Sequence, residues 1–270
     1  MAKYSVFCVR AGFNMRRPEK KELESRGERV VFVINRTVDW IFIIFFLLVL
    51  VFCLYAIYDS AMVYEEASNS GIAKEFILEE DDGRRKIDFE SLLAVNDDVM
   101  GWIVLDGTNV DQMILHGDDN SFYLSHGYDG KYAMAGSAFM DSRNSRNWDD
   151  AYILIFGHNM NDDLMFGQLR RYHEKKFFDE HQTGTLYTPN GDYALRVEAE
   201  LVVSKDASEI YSVAQSRIDA APFLNYINTH ADQKRGELEP SRKYIALSTC
   251  QGQTNMRQVV VLSYDPNAKL

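Results

Sequence analysis

One continuous hydrophobic run divides the chain. It covers residues 40–58 and contains 19 residues without a charge, from Trp40 to Tyr58. A helix needs about 20 apolar residues to cross a bilayer core, and aromatic rings favour the two interfaces. The run shows no amphipathic period, which argues against a buried core helix, and the hydrophobic region of a cleaved signal peptide has only ~7–15 residues. We therefore predict one transmembrane helix over 40–58.

Helical patterns continue after this run. The residues from Asp59 to about Glu80 have helical composition, and they predict a juxtamembrane helical stalk over 59–84 that ends in an acidic turn at 79–83. A short helix is predicted over 87–95, with Asp88 as its N-cap.

From about residue 100 the pattern changes to short apolar strands separated by turn residues. The predicted strands are 101–105, 110–115, 135–140, 151–156, 185–188, 193–203, 244–250 and 259–262, with helices over 164–172 and 208–230. The Asp-Gly and Asn residues at 106–109 predict a hairpin between the first two strands. Seven or eight short strands with turns predict a mainly β fold with helices, in which a closed or nearly closed barrel follows N-terminal helices and the transmembrane helix.

The charge distribution predicts the orientation of the chain. The formal net charge of −11 argues against nucleic acid as a partner. Residues 1–37 nevertheless carry nine Lys or Arg and four Glu, and basic residues before a membrane span keep that end in the cytoplasm. We therefore expect a cytoplasmic tail over 1–39 and an extracellular domain over 85–270, with membrane lipid around the span.

This topology separates the three cysteines. Cys8 falls in the tail, Cys53 in the span and Cys250 outside the membrane, so no two can pair within one chain. A single extracellular cysteine indicates a reactive thiol or an intermolecular disulfide.

The surroundings of Cys250 favour a reactive thiol. It ends the apolar strand 244–250, and Arg257 begins the next one; the turn residues between them predict a hairpin. Cβ atoms of facing residues across such a pair are roughly 5 Å apart, and a nearby cation favours the reactive thiolate. The alternative is a structural cysteine buried in a strand.

Six histidines could serve as a proton-transfer partner for Cys250. His158 differs from the others because it follows the apolar strand 151–156 after a glycine, and strand ends meet at one rim of a barrel. Solvated or locally hydrogen-bonded roles are expected for the other five, which are His116, His126, His173, His181 and His230. The acidic pairs lack the regular ligand spacing of an EF-hand loop, so we predict no metal site and no cofactor.

Several motifs, in this order, resemble the class B sortases, the membrane-anchored cysteine transpeptidases of Gram-positive bacteria. The similarity covers about residues 85–265. It is carried by Gly101-Trp102, Asp106-Gly-Thr-Asn109, Asn120-x-x-Tyr123-Leu124, Ala135-Gly-Ser137, Asp141-x-Arg143-Asn144, Phe156-Gly-His-Asn159, Met165-Phe166-Gly167 and Leu247-Ser-Thr-Cys250 with Arg257. The six-residue segment between Cys250 and Arg257 is short for the class.

The resemblance implies a mechanism and partners. Cys250 would attack the carbonyl after a Thr in a sorting-signal peptide, His158 would act as acid and base, and Arg257 would stabilise the oxyanion or hold the substrate. The substrate-binding residues would be Ser248, Thr249, Gln251 through its backbone N–H, Asn120 and Leu124. The peptide would come from a surface protein, and the acceptor would be an amine of a cell-wall precursor or of a pilin.

Two other functions remain open from the residues. An extracellular cysteine protease would use the same side chains and transfer the acyl group to water. A non-catalytic membrane-anchored surface domain could retain the barrel, although the intact Cys250, His158 and Arg257 argue against it.

Overall fold

The computed structural model describes residues 26–67, 74–79, 85–250 and 254–270. Most of the predicted tail (1–25), part of the stalk (68–73), nearly all of the acidic turn (80–83) and Gln251 lie outside the described residues. The chain divides into two compact units, Met1–Tyr58 and Asp59–Leu270.

Helix α1, Arg26–Ala67, contains the whole run at 40–58. By length and composition it can cross a membrane, and its large apolar side chains are exposed. The helix is longer than the apolar run because good helix formers flank it, with Arg and Glu before the run and Ala, Met and Glu after it.

A two-stranded sheet and a short helix precede the barrel. Strand β1, Ile77–Glu79, pairs antiparallel with β2, Arg85–Ile87, and is followed by α2, Phe89–Val95. The structure therefore differs from the predicted helical stalk at 77–79, because this pairing buries side chains at 76 and 87 in the cluster that contains Leu92. The predicted N-cap is confirmed, since Asp88 accepts a hydrogen bond from the Ser91 N–H at 3.1 Å.

The remaining elements alternate short strands with short helices. In chain order they are β3 Val99–Leu105, β4 Asp111–Leu115, β5 Ala138–Met140, β6 Tyr152–Phe156, α3 Lys175–Glu180, β7 Thr183–Thr188, β8 Gly191–Ser204, α4 Ser208–Tyr211, α5 Val213–Ser216, α6 Ala221–His230, β9 Gln233–Lys234, β10 Lys243–Cys250 and β11 Met256–Tyr264. The predicted helix at 164–172 is instead a 3₁₀ turn, Gly167–His173.

Eight of these strands form a closed barrel of mixed parallel and antiparallel pairs. Their order is β11-β10-β6-β5-β4-β3-β7-β8, and pairing of β8 with β11 closes the ring. The pairs β4–β5 and β6–β10 are parallel, and β9 adds to β8 outside the ring. The predicted barrel is confirmed.

Alternation along the strands separates the barrel interior from the helix-covered outer surface. On β10, Ile245 and Leu247 belong to the interior cluster, whereas Tyr244 and Ala246 pack outward against helices α4 to α6. On β11, Val259 and Val261 face the same outer cluster. This alternation decides which residues share a face at the end of the β10–β11 hairpin.

Candidate active site

The parallel pair β6–β10 brings His158 and Cys250 to the same end of the barrel. Phe156 pairs with Ser248 at the last position of this ladder, and the Gly157 N–H donates to the Ser248 carbonyl at 3.2 Å. His158 follows Phe156 by two residues, and Cys250 follows Ser248 by two residues. The carboxyl ends of adjacent parallel strands therefore carry both groups.

The antiparallel pair β10–β11 places Arg257 directly opposite Cys250. Alternation puts both positions on the outer face of the barrel, together with Ser248 on β10 and Val259 on β11. The predicted hairpin and the pairing of these two positions are confirmed. A guanidinium at this position provides a permanent positive charge beside the end of β10.

Arg257 is half-buried. Its Nη1 donates to the Met256 carbonyl at 3.1 Å, and within the described part of the chain no carboxylate forms an ion pair with it. The other N–H groups of Arg257 therefore bind no carboxylate among the described residues. They are suited to donate hydrogen bonds to a negative charge that develops during a reaction.

A main-chain carbonyl fixes the imidazole of His158. Nε2 lies 2.8 Å from the carbonyl oxygen of Leu124. A carbonyl only accepts, so Nε2 carries the proton and Nδ1 is the nitrogen that is left to gain or lose one. The structure thus gives Leu124 a specific place in the site through its backbone, and sequence reasoning missed this role because a carbonyl has no residue signature.

The turn that carries this carbonyl is held from two sides. Burial raises the pKa of Tyr123 to about 12, so its hydroxyl keeps its proton and donates to Asp98 at 2.8 Å. On the other side, Gly136 has a φ of 59°, and a Cβ there would lie 2.6 Å from the carbonyl oxygens of Tyr123 and Leu124. The Ala135-Gly-Ser137 motif therefore supports the residue that positions His158.

Asn120 supports the same loop from its start. Its Nδ2 donates to Asp141 at 2.9 Å, and its Oδ1 accepts from the Ser142 N–H at 2.7 Å. The buried Asp141 also accepts from the Arg143 guanidinium at 2.6 and 2.7 Å. Both ends of the Asn120 amide are engaged within the protein, and its predicted contact with substrate stays a prediction.

Ser248 and Thr249 lie just before Cys250 and are both buried. The Ser248 hydroxyl lies 3.0 Å from that of Tyr211 at the end of α4, which ties the strand to the helical layer. Tyr211 also stacks on Phe156 of β6. Tyr211 was not predicted as part of this region, because it is far from the motif in sequence and helix α4 has only four residues.

The chain is similar to known proteins over somewhat less than two thirds of its length. It is 30% identical to sortase B of Listeria monocytogenes over 172 residues, which are 62% of this chain and 69% of the relative. No protein-family model matches the chain.

Two solved structures extend this similarity to the fold. A Streptococcus pyogenes class B sortase involved in pilus biogenesis is 31% identical with a TM-score of 0.60, over 66% of this chain and 97% of that one. A Staphylococcus aureus sortase B–substrate complex is 28% identical with a TM-score of 0.60, over 66% of this chain and 84% of that one. The chain belongs to the class B sortases, which are cysteine transpeptidases.

Proposed function

We propose that this enzyme is anchored in the membrane by α1 and transfers the acyl part of a sorting-signal peptide to an amine through a thioester on Cys250. The observation that carries the proposal is the meeting of three positions at one end of the barrel. Cys250 pairs with Arg257 across the β10–β11 hairpin, and the parallel neighbour β6 leads to His158.

The first half-reaction breaks the peptide bond after a Thr. The Cys250 thiolate attacks the Thr carbonyl and forms a tetrahedral oxyanion. His158, protonated at Nδ1, gives its proton to the leaving amine as the C–N bond breaks. A thioester remains on Cys250, and His158 is left neutral.

The second half-reaction forms an amide. An acceptor amine attacks the thioester, neutral His158 takes a proton from that amine at Nδ1, and the Cys250 thiolate leaves. The hydrogen bond from Nε2 to the Leu124 carbonyl would keep Nε2 protonated through both steps. One histidine thus acts as acid and then as base without rotation of its ring.

Two groups would stabilise the oxyanion. Arg257 provides a fixed positive charge and a planar set of N–H donors, and the backbone N–H of Gln251 follows the nucleophile directly in the sequence. Donors that are fixed before the reaction starts stabilise developing charge most effectively. Ser248 and Thr249 would set the end of β10 against which the peptide lies.

The substrate classes follow from the relatives. One solved relative is described as a substrate complex and another as a participant in pilus biogenesis. For this chain we propose a peptide of the class B type, Pro-x-Thr followed by Gly or Asn, on a surface protein, and an amine of a cell-wall precursor or a pilin as acceptor.

The apolar helix determines the location that we propose. Basic residues precede the span 40–58 and favour a cytoplasmic N-terminus, so the barrel would face the cell envelope. The same proposal divides the chain into a tail at 1–39, a membrane span at 40–58, a connecting segment at 59–84 and a catalytic domain at 85–270.

Product analysis of the full chain in detergent tests this function. The purified chain is incubated with a set of Pro-x-Thr peptides, with and without triglycine as a soluble amine. We expect a ligated product when the amine is present. Hydrolysed product alone, at the same rate with or without amine, would indicate a protease, and no product with any peptide would contradict the proposed substrate class.

A second cysteine of the same chain provides the matched control. Cys53 lies in α1 and is free and exposed. Cys53→Ala should retain ligation, whereas Cys250→Ala should lose it. Equal activity of the two variants would remove Cys250 from the reaction.

A further inference from the structure

Three side chains outside the proposed active site bring metal-binding atoms together. They are His173, Glu200 and Asp232, and their donor atoms all lie within 4.8 Å of one another. His173 Nδ1 is 3.3 Å from Glu200 Oε1 and 4.0 Å from Asp232 Oδ2. Among the described residues, no other group of three or more His, Cys, Asp or Glu side chains brings its donor atoms this close together.

The chain positions this trio from three separate elements. His173 ends the 3₁₀ turn Gly167–His173, Glu200 lies in β8, and Asp232 precedes β9. The Asp232 N–H donates to the Glu200 carbonyl at 2.9 Å, and its Oδ2 accepts from the Val202 N–H at 3.0 Å. The side chain of Gln233 donates to the carbonyl of His173 at 3.2 Å.

The carboxylate of Glu200 indicates a missing binding partner, independently of the clustering of the three side chains. Its side chain is 0% exposed. Oε1 accepts from Gln258 Nε2, while Oε2 is buried without a hydrogen-bond partner among the described residues. Burial raises the pKa of this carboxyl group, since a buried carboxylate without full compensation is costly. A bound cation would supply the missing compensation.

We propose that His173, Glu200 and Asp232 form a binding site for one divalent ion of the zinc type. Imidazole nitrogen together with carboxylate oxygen is a donor set that suits zinc, whereas calcium takes six to eight oxygens. Ligand atoms about 2.1 Å from a tetrahedral zinc ion lie about 3.4 Å apart, close to the 3.3 Å between His173 and Glu200. His173 and Asp232 are exposed enough to close the remaining gap.

The trio contacts the β10–β11 hairpin through Gln258. Gln258 donates to Glu200 and follows Arg257 directly on β11, where residues 257 and 258 pair with residues 203 and 202 of β8. An ion on Glu200 would therefore tie the 3₁₀ turn and β9 to the strand pair that carries Arg257. Metal binding at this trio is measured without substrate and is therefore independent of the transfer reaction.

Zinc binding to the full chain in detergent tests this site. The measurements use a background in which Cys8, Cys53 and Cys250 are all replaced by alanine, because a free thiol can bind zinc by itself. After removal of metal with a chelator, zinc is titrated against a chromophoric competitor. We expect His173→Ala and Asp232→Asn each to bind one equivalent of zinc fewer than their parent, or to bind that equivalent at least tenfold more weakly than the parent does.

His230→Gln is the matched control, since His230 is an exposed histidine outside the trio. It should bind zinc as the parent does. Zinc should also raise the unfolding temperature of the parent and the control but not of the two site variants, whereas the unfolding temperatures in chelator should be similar, which shows that the variants fold. Equal zinc affinity in parent, His173→Ala and Asp232→Asn would overturn the site. An equal temperature shift with calcium would overturn the assignment of a nitrogen ligand.

Discussion

Cys250 and Arg257 occupy directly opposed positions across the β10–β11 hairpin. Six residues separate them in sequence, so the pairing lies within a single hairpin. Alternation places both positions on the outer face of the barrel, where Ser248 contacts Tyr211. A permanent cation thus stands beside the end of the strand that carries the proposed nucleophile, Cys250.

Arg257→Ala should slow acylation by about 10²–10³, the usual effect of losing one oxyanion donor. Arg257→Lys keeps the charge but lacks the planar set of donors, so a two-pronged role predicts poor rescue and a purely Coulombic role predicts substantial rescue. Single-turnover acylation with one peptide measures both.

Arg242→Ala, which removes an exposed arginine before β10, is the control and should acylate as the wild type does. Near-wild-type acylation in folded Arg257→Ala would leave only Cys250 and His158 in the proposed chemistry.

Gly136→Ala should reduce transfer by about 10², since displacements of ~1 Å in a reacting site cost that much. The added Cβ would lie 2.6 Å from the Leu124 carbonyl oxygen that fixes His158, at a φ of 59° that disfavours any side chain. The measurement is the ligation rate of protein shown to be folded by its unfolding temperature.

Gly236→Ala is the matched variant, because a Cβ there has nothing within 4 Å. It should retain wild-type activity. A folded Gly136→Ala variant with wild-type ligation would show that the Leu124 carbonyl does not position His158.

Glu200→Gln should change the pH dependence of stability when metal is removed by a chelator. The pKa of Glu200 in the folded state is raised above its ordinary value of 4.5 by burial. The protonated side chain therefore favours the folded state below that value, and this contribution is lost as the pH rises through the folded pKa.

Wild type and Glu200→Gln should consequently have similar stability near pH 4, and the variant should become the more stable of the two toward pH 8. Urea unfolding of the full chain in detergent at several pH values measures this difference. A difference that does not change with pH would show that Glu200 titrates alike in the folded and unfolded chain.

The orientation of the membrane helix can be tested on protoplasts. Protease added outside should digest the chain after Tyr58 and spare a tag at Met1, because the basic residues before the span hold that end inside. Protection of the barrel with digestion of the tag would reverse the proposed topology.

Local sequence patterns were sufficient for the hairpin and the barrel. Apolar runs and turn residues predicted strands β10 and β11, and with them the pairing of Cys250 and Arg257. The position of His158 followed from its place after an apolar strand. These features depend on neighbouring residues, which a sequence shows directly.

The features that the sequence did not predict depend on residues far apart in the chain or on the backbone. The bond from His158 to the Leu124 carbonyl joins residues 34 positions apart and involves no acceptor side chain. His173, Glu200 and Asp232 come together only through the turn before α3, strand β8 and the approach to β9. Residues 77–79 were expected to be helical from their composition. They form a strand because they pair with residues 85–87 across the acidic turn, and composition does not show this pairing.

The mass of the acylated enzyme shows most directly whether Cys250 is the nucleophile. The full chain in detergent is mixed with a Pro-x-Thr peptide without an amine, quenched in acid and analysed as intact protein, alongside Cys53→Ala and Cys250→Ala. A mass increase equal to the acyl part of the peptide is expected on wild type and Cys53→Ala, and none on Cys250→Ala. The same adduct on Cys250→Ala would contradict the assignment of Cys250 as the nucleophile.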